Sequence, residues 1–313
     1  MARGGDESRP PDEHHGPPTV KKQTKPPALS WRAIRHSRNV IEINVPRLDY
    51  GEFSALLTSD WHWDNPHCDR EKLAADLDEA VARGAPIFSI GDTFCAMQGK
   101  FDKRANKNSI RPEHQRGDYL DSLVSTCTDW LMPYRHNLAL IGQGNHETAI
   151  YGRHETDLIE RLTSRIRDRG GITQAGGYGG WVIFRFGVGS KIQPFRLYYH
   201  HGFGGGGPVT KGSIDWSRYL MHAEADAYVA GHVHYLNSDT MTRAELTMTN
   251  QVRKRNVLFI RCSTYKDEYA DGFGGFHVEK GRGPRPIGGQ WLHFKMVNAS
   301  GFHGLKAAVT STV

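Results

Sequence analysis

Short apolar runs alternate along this chain with segments in which apolar residues recur at the spacing of an amphipathic helix. The runs predict strands, and the helical spacing predicts helices that pack back on a sheet. Strands are predicted at Val40 to Val45, Phe53 to Ser59, Pro86 to Ile90, Leu138 to Ile141, Trp181 to Phe186, Phe195 to His200 and Ala227 to Ala230. Helices are predicted at Lys72 to Arg83, Tyr119 to Leu131, Glu155 to Arg167 and Ser213 to Ala223. This β-α-β rhythm indicates an α/β domain.

The pattern also marks the limits of the domain. Residues 1–30 carry repeated prolines among charged and small residues, which predicts a disordered, basic, proline-rich tail. Residues 31–313 are predicted to form a single domain, interrupted at 97–117 by a basic insertion with almost no apolar periodicity. Near the end, Val257 to Arg261 and Trp291 to Met296 predict strands of a second sheet.

Composition narrows the class of protein. No apolar run approaches the roughly 20 residues that a membrane-spanning helix needs, and no apolar secretory segment is visible, so we expect a cytoplasmic protein of a bacterium or a phage-infected host. The four cysteines form no Cys-x-x-Cys pair, which predicts reduced thiols and not a zinc ribbon. A net charge of +6 favours anionic partners such as nucleic acid or nucleotides. Neither a membrane nor an obligate protein partner is expected.

Polar residues follow several of the predicted strands at the point where each strand ends. Ligands of α/β sheets collect at the carboxyl ends of strands, and alternate side chains of an extended chain point the same way. The residues in question are Asp60 and His62, Asp92, Asn145 and His146, His201, and His232 and His234. Such ligands suit Mn, Fe, Ni or Zn, and they are too many for one tetrahedral ion. Two ions that share one bridging carboxylate are therefore the natural count.

The order of these motifs resembles the calcineurin-like metallophosphoesterase superfamily: Asp-x-His, Gly-Asp, Gly-Asn-His-Glu, His-Gly and Gly-His-x-His, between residues 60 and 234. The resemblance implies a four-layer α-β-β-α sandwich of two mixed sheets. It further implies that Asp60, His62 and His234 hold one ion and that Asn145, His201 and His232 hold the other. Asp92 would bridge the two ions, and His146 would act as the acid near the leaving group.

Departures from the family pattern bear on the substrate. Protein phosphatases of the superfamily continue the second block as Gly-Asp-x-Val-Asp-Arg-Gly and place Arg before the third block. Here Asp92 runs into Thr93-Phe94-Cys95, and Gln143 precedes Gly144. Phosphoprotein substrates are therefore disfavoured. The Gly-Asp-x-Phe form is similar to the repair-nuclease and nucleotide phosphodiesterase branches, and residues 63–66 with 94–100 resemble phosphoesterases of bacteriophages and prophages.

We therefore expect hydrolysis of phosphodiester bonds in nucleic acid or nucleotides, with two divalent ions as cofactors. Manganese is favoured, with Ni, Fe or Zn as alternatives. Other functions left open are a phosphomonoesterase, a protein phosphatase and a non-catalytic, metal-stabilised binding module.

The wider set of candidate residues leaves several choices open. The basic insertion either contacts substrate phosphates or is merely solvated; its candidate contacts are Lys100, Lys103, Arg104, Lys107 and Arg111. His146 would be oriented by Asp157 or by a carboxylate such as Glu147. For Trp61 and Trp63, burial in the core is favoured over stacking on a base. The loop Gly204 to Gly207 does not have P-loop spacing and is expected to be mobile.

Overall fold

The structure is a computed structural model that describes residues 29–48, 51–98, 105–273, 276–299 and 302–313. The predicted tail lies almost wholly outside the described residues, so its disorder stays a prediction.

The described residues form thirteen strands and six α-helices, whose order follows the predicted β-α-β rhythm in the first half of the chain. The strands are β1 (Arg32–Ser37), β2 (Val40–Val45), β3 (Glu52–Thr58), β4 (Ile87–Ser89), β5 (Leu138–Ile141), β6 (Gln174–Ala175), β7 (Gly179–Val188), β8 (Lys191–His200), β9 (Ala227–Ala230), β10 (Asn237–Leu246), β11 (Val252–Arg261), β12 (Gln290–Ala299) and β13 (Phe302–Ser311). The helices are α1 (Arg70–Ala82), α2 (Tyr119–Leu131), α3 (Asn145–His154), α4 (Leu158–Asp168), α5 (Ile214–His222) and the short α6 (Phe276–Glu279).

These strands form two mixed sheets. One has seven strands in the order β1-β2-β7-β8-β9-β11-β10, and the other has six in the order β13-β12-β3-β4-β5-β6. Strands β3 to β6 are parallel neighbours, as are β8, β9 and β11. The carboxyl ends of both parallel groups are where the predicted polar motifs begin.

The apolar side chains explain how the layers stack. A core rich in phenylalanine lies between the sheets, where Phe53 and Phe294 of one sheet meet Phe184 and Phe186 of the other. Helices α1, α2 and α4 cover the outer face of the six-stranded sheet, and α5 covers the seven-stranded sheet through Trp216 and Tyr219. The predicted α/β class and the four-layer α-β-β-α sandwich are therefore confirmed.

Some elements differ from the predictions. The strands predicted around Val257 and Trp291 belong to different sheets, since β11 pairs with β9 and β12 pairs with β3. Apolar alternation marks a strand but does not name its neighbour, which is why the sequence misplaced them. Strands β1, β6, β10 and β13 and helices α3 and α6 were not predicted. The described part of the basic insertion holds two 3-10 helices, Lys107–Ser109 and Pro112–His114.

The burial of two tryptophans agrees with the prediction that they lie in the core and do not stack on a base. Trp61 and Trp63 are fully buried, and the guanidinium of Arg70 lies 3.8 Å from the ring centroid of Trp63. All four cysteines are buried free thiols.

Among the helices of the described residues, none has the length and the apolar character that crossing a membrane requires.

Candidate metal centre

The strand ends of the two sheets bring the predicted ligands together. Backbone hydrogen bonds connect the loops that follow these strands: Asp60 N donates to Gly91 O over 2.9 Å, and Gly231 N donates to His201 O over 2.9 Å. Asp60 and His62 follow β3, Asp92 follows β4, Asn145 and His146 open helix α3 after β5, His201 follows β8, and His232 and His234 follow β9. Loops from both sheets thus meet at one edge of the sandwich.

The backbone at these positions is strained. Left-handed φ angles are uncommon outside glycine and cost on the order of 1–3 kcal/mol each. The predicted ligands that adopt them are Asp60 (51°), His62 (46°), Asp92 (51°), His232 (72°) and His234 (55°). Strain of this kind persists only where the surrounding structure holds it, and it concentrates at functional sites.

The first group of donors consists of Asp60, His62 and His234, whose ligand atoms all lie within 4.8 Å of one another. The Nε2 atom of His234 lies 3.2 Å from Oδ1 of Asp60 and 3.4 Å from Nε2 of His62. All three side chains therefore turn a donor atom toward one point.

The second group consists of Asp92, His201 and His232, again within 4.8 Å. The Nε2 atom of His201 lies 3.2 Å from Oδ2 of Asp92. The amide oxygen of Asn145 lies 3.3 Å from Nε2 of His201 and 2.8 Å from Nδ1 of His232. Since His201 Nε2 is also 4.0 Å from Oδ1 of Asp60, the two groups are adjacent.

Backbone carbonyls select which nitrogen of these imidazoles faces the centre. Nδ1 of His201 donates to the Ile90 carbonyl over 3.1 Å, and Nε2 of His232 donates to the Gly204 carbonyl over 2.9 Å. A carbonyl only accepts, so each of these nitrogens carries a proton, and the other nitrogen of each ring faces the centre. Both rings are therefore held in the orientation that a metal ligand needs.

Glu268 is a residue that the sequence analysis missed. Its carboxylate lies 3.6 Å from Nδ1 of His234, 3.2 Å from Nε2 of His277 and 2.6 Å from Nζ of Lys266. It follows β11, which ends at the same edge of the sheet as β9. No strand-end motif marks it, and only knowledge that β11 lies beside β9 would have drawn attention to it.

The carboxylates in the centre are buried and remain ionised. Burial alone would raise the pKa of Asp60, but the neighbouring His201 and His234 lower it to about 2. Conversely, burial would lower the pKa of His201, and the carboxylates of Asp92 and Asp60 raise it to about 9. Within the described residues, Oδ1 of Asp60 and Nδ1 of His62 have no hydrogen-bond partner although both are buried. A set of ionised oxygens and imidazoles with an orphaned carboxylate oxygen fits divalent cations.

Glycines allow the backbone to press against the two carboxylates. A Cβ atom at Gly144 would collide with the Asp92 carboxylate, and one at Gly231 would collide with Ser59 and Asp60. The close approach lets the amide of His146 donate to Asp92 over 2.9 Å and the amide of His232 donate to Asp60 over 2.8 Å. The glycines that precede the Asn-His and His-x-His motifs are thus part of the geometry.

His146 lies at the junction of the two groups. Its ring centroid is 4.8 Å from that of His62, and its Nε2 is 3.8 Å from Oδ2 of Asp92. The expectation that Asp157 or Glu147 orients it is wrong, because its Nδ1 lies 2.7 Å from the carbonyl oxygen of Cys95.

The two carboxylates that were expected to orient His146 serve the backbone instead. Asp157 caps helix α4. Glu147 accepts hydrogen bonds from the amides of Gly144, Phe94 and Asp92, and so ties the start of α3 to the loop after β4.

The neighbouring His200 faces the other way from His201. Its Nδ1 accepts a hydrogen bond from the amide of Gly202 over 3.0 Å, and its ring packs against Tyr219 of helix α5. Adjacent residues of a strand point to opposite faces, so His201 is the one that turns toward Asp92 and Asn145.

The basic insertion is placed only in part. Lys100, Lys103 and Arg104 lie outside the described residues, and Lys107 is exposed. Arg111 donates to the carbonyls of Asn65 and Cys68, each over 3.0 Å. It ties the insertion to the loop that carries Asp60 and His62.

Comparison with known proteins adds little to this picture. No protein-family model and no curated protein matches the sequence. Vacuolar protein sorting 29 from Cryptosporidium parvum is 14% identical and covers 84% of this chain and 100% of its own, with a TM-score of 0.36. An uncharacterized protein of Streptococcus pneumoniae, described as a predicted phosphoesterase, is 10% identical and covers 83% and 98%, with a TM-score of 0.29. Vps29 of Chaetomium thermophilum is 10% identical and covers 83% and 96%, with a TM-score of 0.33. Such values assign no function.

Proposed function

We propose that this protein is a dinuclear metal-dependent phosphoesterase that hydrolyses phosphodiester bonds in nucleic acid or nucleotides. The observation that supports the proposal most is the pair of adjacent donor groups, one with Asp60 and the other with Asp92, each carrying two imidazoles. One structural ion would need only four ligands. Two such groups side by side, with Asn145 added to the second, suit a two-ion hydrolytic site.

Each residue has a definite task in this proposal. Asp60, His62 and His234 would hold one ion, Asn145, His201 and His232 the other, and Asp92 would contact both. A bound pair of divalent ions supplies the charge that stabilises phosphoryl oxygens and activates water for in-line attack. Manganese is the ion we favour.

The chain's own residues would control the leaving group and the approach of substrate. His146 is 8% exposed, and with Nδ1 bonded to the Cys95 carbonyl its Nε2 is the atom that would give a proton to the departing oxygen. Asn145, His232 and His234 are only partly buried. They mark the open side of the centre, from which a phosphodiester would enter.

Charge supports an anionic polymer or nucleotide as substrate. The chain carries a formal net charge of +6, and the basic insertion leaves the same strand end as Asp92. Lys107 with Lys100, Lys103 and Arg104 is proposed to contact phosphates. We further propose that the protein is a phosphoesterase of the phage and prophage type, which residues 63–66 and 94–100 resemble.

Metal analysis and a substrate panel test the proposal. The purified protein would be titrated with Mn, Ni and Zn, and assayed on mono- and bis-nitrophenyl phosphate, cyclic nucleotides, and single- and double-stranded DNA and RNA. We expect two ions per chain and turnover of diesters. Asp92→Asn should lose bound metal and turnover together, because it removes the negative charge that both ions share.

Other outcomes would change the assignment. Two ions per chain without turnover of any ester would indicate a metal-stabilised binding module. Turnover of the monoester alone would indicate a phosphomonoesterase. Full activity of Asp92→Asn with two bound ions would remove Asp92 from its bridging place.

A further inference from the structure

Arg285, a partly buried arginine, stacks on the tyrosine that follows the metal-ligand candidate His234. The guanidinium carbon of Arg285 lies 3.6 Å from the ring centroid of Tyr235. No acceptor within the described part of the chain pairs with its buried Nε. The Nε of the buried Arg261 is unpaired as well, but the other nitrogens of Arg261 donate to the carbonyls of Gly231 and Gly212 and to Asp215. The ring stack with Tyr235 is the contact that the described residues give Arg285, so the outer N–H donors of its guanidinium stay available to a ligand.

The position of Arg285 is tied to the strand end that carries His234. Tyr235 follows His234 directly. The hydroxyl of Ser263 lies 3.0 Å from the His234 carbonyl oxygen and 2.5 Å from the carbonyl oxygen of Pro286. One side chain therefore holds the segment of Arg285 against the backbone of a metal-ligand candidate.

The glycine-rich loop Gly204 to Gly207 contacts both His232 and Tyr235. The carbonyl of Gly204 accepts the hydrogen bond from His232, and two residues later Gly206 packs on Tyr235. A Cβ atom at Gly206 would lie 2.8 Å from Cβ of Val233 and 3.0 Å from Cε2 of Tyr235. Glycine is therefore required for the loop to lie against the tyrosine ring. Contacts therefore run from His232 through this loop to the Tyr235 ring and on to the Arg285 guanidinium.

We propose that Arg285, stacked on Tyr235, binds a second phosphate group of the substrate next to the one that is hydrolysed. The planar guanidinium offers several N–H donors in a fork that matches phosphate oxygens, and stacking on an aromatic face fixes the plane of that fork. This Tyr235–Arg285 subsite rests on the proposed function, since the metal centre itself would take the scissile phosphate. The second phosphate is either a terminal phosphate of a nucleotide or the neighbouring diester of a polynucleotide.

Matched substrates test the subsite. The thymidine dinucleotide has one phosphate, its 5′-phosphorylated form adds a terminal phosphate, and the trinucleotide adds a neighbouring diester. Arg285→Ala should raise KM about 10- to 100-fold for the substrate whose second phosphate is bound, as expected for the loss of hydrogen bonds to a charged group. KM and kcat for the unphosphorylated dinucleotide and for bis-nitrophenyl phosphate should stay the same. The substrate whose KM rises shows whether the second phosphate is a terminal phosphate or a neighbouring diester.

Three further variants distinguish a specific phosphate contact from long-range electrostatic attraction. Arg285→Lys keeps the charge without the fork and should recover only part of the affinity. Tyr235→Leu keeps an apolar side chain without the aromatic face, so it should raise KM for the substrate whose second phosphate is bound. Arg243→Ala removes the same charge from an exposed position on β10 and should have no effect on KM. An equal effect of Arg243→Ala and Arg285→Ala would overturn the subsite in favour of long-range attraction.

A binding measurement keeps the subsite separate from the proposed activity. Fluorescence anisotropy of the labelled, phosphorylated di- and trinucleotides with EDTA-treated protein should show weaker binding by Arg285→Ala than by the unchanged chain. If the unchanged protein hydrolyses no diester but this difference is present, the proposed function is wrong and the subsite stands. If diesters are hydrolysed and Arg285→Ala binds and turns over every substrate as before, the subsite is wrong and the function stands.

Discussion

The imidazole of His146 is held by the backbone of Cys95, through a hydrogen bond of 2.7 Å from Nδ1 to the carbonyl oxygen. The acceptor is a main-chain atom of the loop after β4, the same loop that carries Asp92. The orientation of His146 is therefore set by the path of that loop and not by a carboxylate partner. His146 and Asp92 are consequently placed as one unit, with the amide of His146 bonded to the Asp92 side chain.

His146→Ala should reduce kcat while leaving the metal content nearly intact. General acid catalysis contributes about 10²- to 10⁴-fold in rate and acts on the leaving oxygen. Nitrophenolate leaves without a proton, so the loss should be smaller for nitrophenyl esters than for a dinucleotide. Cys95→Ala is the matched control, because it keeps the carbonyl oxygen that orients the ring. Equal losses on activated and natural diesters would contradict the acid role.

The two adjacent histidines at the end of β8 should differ in metal binding. His201 is 0% exposed and turns Nε2 toward Asp92, whereas His200 packs on the side of helix α5. We expect His201→Ala to lose one of two bound ions and His200→Ala to keep both. Metal content by elemental analysis measures this directly. Retention of both ions in His201→Ala, with a loss in His200→Ala, would reverse the assignment.

Glu268→Gln should weaken metal binding without removing a ligand. A carboxylate beside a ligating histidine fixes its ring and raises its basicity, and loss of such a partner typically reduces metal affinity about 10- to 100-fold. Isothermal titration with Mn measures the change. The exposed Glu279 lies on α6 of the same region, and Glu279→Gln should bind metal as the unchanged protein does. Unchanged affinity in Glu268→Gln would show that the carboxylate only pairs with Lys266 and His277.

Substitutions in the basic insertion should weaken the binding of nucleic-acid polymers without slowing the hydrolysis of small substrates. Each phosphate contact adds close to one unit to the salt dependence of nucleic-acid binding. Replacing Lys100, Lys103, Arg104 and Lys107 with Ala should therefore flatten the dependence of DNA or RNA affinity on salt. Hydrolysis of bis-nitrophenyl phosphate should hardly change, since so small a diester contacts only the metal centre.

Arg111 needs its own variant in this experiment. It donates to the carbonyls of Asn65 and Cys68, so Arg111→Ala should lower the midpoint of thermal unfolding. Unchanged polymer affinity at every salt concentration in the four-residue variant, together with slower hydrolysis of the small diester, would assign the insertion to shaping the metal pocket.

The local pattern of apolar and polar residues is enough to predict several strands and helices, and the candidate ligands, from the sequence alone. The strands at 138–141 and 227–230 and the helix at 119–131 were predicted with the bounds that the structure shows, because apolar periodicity depends only on near neighbours in the chain. The candidate ligands were found for a related reason. Polar residues that directly follow a buried run, as Asp60 and Asp92 do, are visible without knowledge of the fold.

Tertiary structure decided how these pieces meet. Packing between distant segments sets which strands pair. The sequence therefore places β11 and β12 in one sheet, whereas in the structure they lie in two different sheets. The Cys95 carbonyl that orients His146, the Glu268 carboxylate beside His234 and the stacking of Arg285 on Tyr235 all join segments that are far apart in sequence. No local pattern encodes such contacts, because they exist only when both sheets are folded and their strand ends face one another.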